Sequence, residues 1–147
     1  MILKRVAWSV WALLPVAALA YHFGPGQRAY TEDRAGDLLA QARVLDAAAE
    51  SAQDDAYAAH LAALKARNAA IANSSSETAA TAKTAADAED AAYTRAASAW
   101  TATADKLKEA HDLLTTSGSE KAQTVRIARD RASSAAVRSA RVSTTSK

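Results

Sequence analysis

Apolar positions follow two different rules along the chain. From Val6 to Phe23 they are almost continuous, behind the two cations Lys4 and Arg5. From Tyr30 onward they are mostly alanine and recur at intervals of three and four. The first pattern is that of an export signal or a membrane anchor, and the second is that of helices packed along a seam.

In the second region Ala35, Ala42, Ala49, Ala56, Ala63 and Ala70 stand seven apart, with Leu38, Leu45, Ala52, Ala59 and Ala66 three residues further on. A seam of such small side chains lets two helix backbones approach closely. A second series, Ala79, Ala86, Tyr93, Trp100, Leu107 and Leu114, has the same period and carries large residues in its C-terminal half. Tyr93, Trp100, Leu107 and Leu114 are therefore a candidate face, either for packing inside a hairpin or for a partner.

Capping chemistry divides this region. Thr31, followed by Glu32 and Asp33, predicts a helix from about 32 to 72, preceded by a linker over 25–30. Ser74 with Glu77 predicts a capping box that opens a second helix, and Ser117 with Glu120 predicts another for a third helix running to about Val142. Residues 143–147 are expected to fray. The fold class is thus all-α: a signal or anchor segment over 1–24, then a long alanine-rich hairpin and a basic third helix over 31–142, as a loose or coiled-coil-like bundle.

The N-terminal segment admits two outcomes. Ala18-Leu19-Ala20 fits a small-x-small peptidase site, with Pro15 placed to end the apolar helix ahead of it. If the run instead continues to Phe23 it reaches 18 residues, the lower limit for a membrane span, and Lys4 and Arg5 keep its start on the cytoplasmic side. Either way the sequence predicts an extracytoplasmic protein of the cell envelope, anchored by a single pass or secreted after cleavage at Ala20.

Composition adds a constraint on stability. From Tyr30 onward only 14 of 118 residues are Leu, Ile, Val or Phe, which is little for a conventional core. Alanine favours the helix but removes little apolar area when buried, so long and weakly associated helices are expected. The chain has no cysteine, which excludes disulfides and thiolate chemistry.

Charge is dipolar. Residues 31–118 hold 14 acidic and 8 basic side chains, whereas residues 119–147 hold 7 basic and 2 acidic. Arg126, Arg129, Arg131, Arg138 and Arg141 are candidate contacts for an anionic lipid or polymer surface. Nucleic acid is disfavoured, because no aromatic residue interleaves them.

Catalytic inventory is thin. His60 and His111 have no acidic residue or second histidine at metal-ligand spacing, and the Asp54-Asp55 and Glu89-Asp90 pairs read as solvated charge. No phosphate loop or nucleophile elbow occurs. The sequence predicts no enzyme, no metal and no cofactor.

Asp54 to Lys65 resembles the second helix of a tetratricopeptide repeat, with Ala56 as the small residue and Ala63-Leu64 as the Ala-Leu step; Ala56-Tyr57 recurs as Ala92-Tyr93, 36 residues on. The resemblance to membrane-anchored tetratricopeptide-like proteins implies alanine-rich helix pairs that bind protein. Two functions follow as expectations: a helical scaffold or adaptor acting through a protein partner or self-association, with its N-terminal segment in the membrane, or an envelope-surface binder using the basic third helix.

Overall fold

A computed structural model describes residues 25–145. They form three helices: α1 (Pro25–Ala72), α2 (Ser76–Thr116) and α3 (Lys121–Thr145). No helix among the described residues is long and apolar enough to cross a membrane. The targeting residues Lys4, Arg5, Pro15, Ala18 and Ala20 lie outside the described residues.

The helix ends depart from the expected ones for identifiable reasons. α1 starts at Pro25 instead of near Glu32, so the expected linker over 25–30 is helical. Proline's fixed φ suits a first helical turn, where its missing N–H is not needed. Thr31 consequently lies inside α1, and its hydroxyl donates to the Gln27 carbonyl one turn back.

The cap of α2 lies one residue later than expected. Ser75 is the N-cap: its Oγ accepts from the Thr78 N–H at 3.1 Å, while Thr78 Oγ1 accepts from the Ser75 N–H at 3.2 Å. Thr78 also donates to the Asn73 carbonyl at 2.6 Å, which a glutamate could not do, and so fastens the link to α1. Glu77 is left in the first turn, where its negative charge is favourable at the positive end of the helix dipole.

At the other end Ser117 caps the C-terminus of α2 and does not open α3. Gly118 takes φ +67°, the Ser119 N–H reaches the Leu114 carbonyl at 2.9 Å, and the Gly118 N–H reaches Thr115 at 3.1 Å. That pair of bonds is a Schellman ending. It buries Ser117, whose hydroxyl turns back to Leu114 at 3.0 Å and is not available to Glu120.

α2 is the central helix, packing against α1 and against α3. The alanine series Ala35, Ala42, Ala49, Ala56 and Ala63 is buried along its whole length. Its first half, with Leu38, shares a core with Trp100, Leu107, Ala110 and Leu114 of α2 and with Val125, Ala132 and Ala135 of α3. Its second half does not: Ala56 packs with Ala92, Tyr93 and Ala96 of α2, and α3 contributes nothing. The molecule is therefore a three-helix bundle at its basal end, near the α2–α3 turn, and a two-helix hairpin at its distal end.

The chain lengths explain this. α3 has 25 residues against 48 in α1. Its neighbours on α1 advance with it, from Leu39 and Arg43 beside Thr124–Ala132 to Gln53, whose Oε1 accepts from Ser139 at 2.8 Å. α3 thus runs parallel to α1. Beyond Ser139 it has six residues left. At about 1.5 Å per residue these carry it to roughly the level of residue 59 in α1.

Candidate functional site

Three features of the bundle are candidates, and each is set by where a residue falls in the seven-residue repeat. The first is an exposed face of α1 beside the one that meets α3 at Gln53. At the basal end Arg43 lies on this face and lines the cleft between the two helices. Seven-residue steps from Arg43 lead to Glu50, Tyr57, Leu64 and Ile71. The last three are apolar and exposed, Tyr57 by 59%, Leu64 by 39% and Ile71 by 79%, and Leu64 and Ile71 lie beyond the end of α3. Leu61, one turn from Tyr57, adds to the stripe and is about half exposed. This face is exposed along its length, at Arg43 and Glu50 as at the distal end, and turns apolar in the distal half, where the core holds two helices.

The second feature is a buried charge cluster between α1 and α2 in the same distal half. Glu89 is only 2% exposed. It accepts from His60 Nδ1 at 2.6 Å through Oε1 and from Arg67 at 3.2 Å through Oε2. This corrects the expectation that Glu89-Asp90 is solvated charge, and it gives His60 an acidic partner. The partner comes from the other helix, seven residues before the buried Ala96, and the seven-residue spacing to Ala96, Thr103 and Ala110 was the available signal. Asp90 is half-buried, and its Oδ1 meets no donor among the described residues. Burial pushes the nearby Tyr93 hydroxyl up from its ordinary pKa, with the negative charge of Glu89 and then Tyr57 adding to the effect.

The third feature is the cleft between α1 and α3, a half-open space of about 470 Å³ walled by Leu39, Leu107 and Val125 and floored by Trp100. A second chamber of about 390 Å³ continues past Trp100 toward Gln53 and Ser139. The Trp100 indole N–H meets no acceptor among the described residues. Arg43, Asp46 and Arg131 line the first chamber and Arg138 the second.

The remaining candidate residues divide between core and surface. Tyr93, Trp100, Leu107 and Leu114 are all buried, which places this face inside the bundle. The arginines of α3 do not share one face. Arg129 pairs with its neighbour Asp130 at 2.7 Å, Arg131 and Arg138 turn toward α1, and Arg126 and Arg141 are exposed. His111 sits beside Asp112 at 3.3 Å. Lys108, which donates to Asp112 at 2.7 Å, and after it His111 lower the Asp112 carboxyl below its usual value. No group of three or more potential metal ligands gathers among the described residues.

Comparison with protein families, curated proteins and solved structures finds no match to this chain. The residues that resemble a tetratricopeptide helix, 54–65, lie within the uninterrupted α1.

Proposed function

We propose that the chain is a non-enzymatic helical scaffold of the cell envelope, held at the membrane or released from it through residues 1–24, and that it works by docking one amphipathic helix on its distal hairpin. The observation that carries this reading is the exposed apolar stripe Tyr57, Leu61, Leu64 and Ile71 on the distal half of α1, where the core holds two helices instead of three. A helix laid there would bury apolar side chains at seven-residue spacing against alanine-rich neighbours. The dispersal of the arginines around α3 supports placing the docking face on α1 and not on the basic helix.

The test is a photo-crosslinking residue placed at Leu64 or at the outward-facing Val44 of the 147-residue chain in cells. The reading predicts a protein adduct from position 64 and none from 44. It further predicts that Ile71→Glu abolishes the adduct with helicity unchanged, because Ile71 is 79% exposed and supports little of the fold. Absence of any adduct at 64 would contradict it.

A further inference from the structure

α1 and α3 both pack on α2 but only marginally on each other, and the gap between them is the cleft that Trp100 floors. Its two ends differ in chemistry. Ser139 meets Gln53, an offset of 86 residues, and the two helices run parallel, so Val125 stands level with Leu39 and Arg131 stands between Arg43 and Asp46. The basal end is apolar, walled by Leu39, Leu107 and Val125, with Ile127 beside them. Ile127 is 61% exposed, a large apolar side chain that the bundle leaves uncovered. The other end carries a guanidinium on each wall, Arg43 on α1 and Arg131 on α3. Neither guanidinium makes a hydrogen bond or ion pair among the described residues, and nor does the Asp46 carboxylate.

We infer that this cleft binds a single-chain carboxylate amphiphile, a medium-chain fatty acid, with its carboxylate between Arg43 and Arg131 and its hydrocarbon chain between Leu39 and Val125. The inference goes beyond the docking reading and does not depend on it. A slot of about 470 Å³, mostly apolar with a few converging polar groups, has the size and character of a small-molecule site. It is too small for a peptide helix, three turns of which fill roughly 1,300 Å³ at a width of about 10 Å. The position of the charges sets the chain length. Six residues of α1 separate Leu39 from the level of Arg131, about 9 Å. An extended chain advances about 1.2 Å per bond, so about eight to ten carbons reach from the arginines to the basal wall. The charges also select the head group. Two planar guanidiniums suit a carboxylate, and Asp46 beside them leaves one net positive charge, which favours a monoanion over a phosphate dianion. Trp100 also lines the second chamber toward Gln53, so its ring lies at the arginine end, next to the head.

The test uses the 147-residue chain carrying Trp8→Phe and Trp11→Phe, which leaves Trp100 as its one tryptophan. The bromine of 2-bromodecanoate, one carbon from the carboxylate, should quench Trp100 saturably, and decanoate should reverse the quenching. Arg43→Gln with Arg131→Gln should weaken binding about tenfold through loss of the charge-assisted bonds. Its helical circular dichroism should stay unchanged, because both side chains are exposed. Removing the same charge by Lys121→Gln with Arg126→Gln, exposed residues that line neither chamber, should leave affinity as in the parent. The neutral 1-decanol should compete at least about tenfold less well than decanoate. Absence of saturable quenching up to about 1 mM overturns the inference. So does an Arg43/Arg131 variant that binds like the parent or like the Lys121/Arg126 variant, or 1-decanol competing as well as decanoate.

Discussion

His60 Nδ1 lies 2.6 Å from Glu89 Oε1 across the α1–α2 interface, so a carboxylate that is almost fully buried has its hydrogen-bond partners supplied by the opposite helix. Arg67 supplies the second partner at 3.2 Å and is itself 41% exposed, so solvent screens its share. Removing the histidine should leave one buried oxygen without a donor. His60→Ala is expected to destabilise the chain by about 1–3 kcal/mol in urea unfolding. Adding Glu89→Leu should recover part of that loss, because an apolar side chain of similar volume needs no partner there. A His60→Ala chain as stable as the parent would show that the pair is not formed.

The close contact of α1 and α2 depends on alanine as much as on the large residues. Ala49 is fully buried and belongs to the same core as Trp100. Ala49→Leu should force the helices apart and cost about 1–3 kcal/mol. Trp100→Ala should cost about 3–5 kcal/mol by leaving a cavity under the α1–α3 cleft. In a bundle with so few large aliphatic side chains either loss should show as a clear drop in the thermal midpoint.

Gly36 offers a change in the opposite direction. It lies within α1, more than two turns from the start at Pro25, and a methyl group added there would meet nothing within 4 Å. Gly36→Ala should stabilise the chain by about 0.5–1 kcal/mol, the entropy a glycine loses in a helix interior. A lower urea midpoint would contradict the placement of this turn.

Much of the helix pairing was legible in the sequence, and the reasons it stopped short are physical. The alanine series from Ala35 to Ala63 is buried throughout because a seven-residue repeat keeps one face turned to its partner over any length. The ends were less legible. Pro25 could be read as a breaker or as a first-turn residue, and Ser74 and Ser75 are chemically equal until Thr78 selects one of them. Glu89 escaped because an acid was read by its type and not by its place in the repeat. The exposed stripe lay one position beside the alanine seam, at Tyr57, Leu64 and Ile71. Only the tertiary arrangement, in which α3 ends near the level of residue 59, shows that this stripe lies mostly on the half of the molecule that lacks a third helix.

Alkaline pH should expose the setting of Tyr93. Burial raises its pKa in the folded state above the usual phenol value, so the folded chain holds the proton more tightly than the unfolded chain. This contribution to stability is complete below about pH 10 and is lost as pH rises through the folded-state value. Urea midpoints measured from pH 8 upward should therefore fall above about pH 10, and Tyr93→Phe should flatten the decline. An unchanged decline in the phenylalanine variant would place its origin elsewhere.

The distal hairpin is where the account is most exposed to test, since it holds that a docked helix supplies there what α3 supplies at the base. Amide hydrogen exchange of the isolated full chain measures this directly. Residues 57–72 and 76–92 should exchange faster than residues 35–49 and 100–114. Distal amides as protected as basal ones would contradict the account.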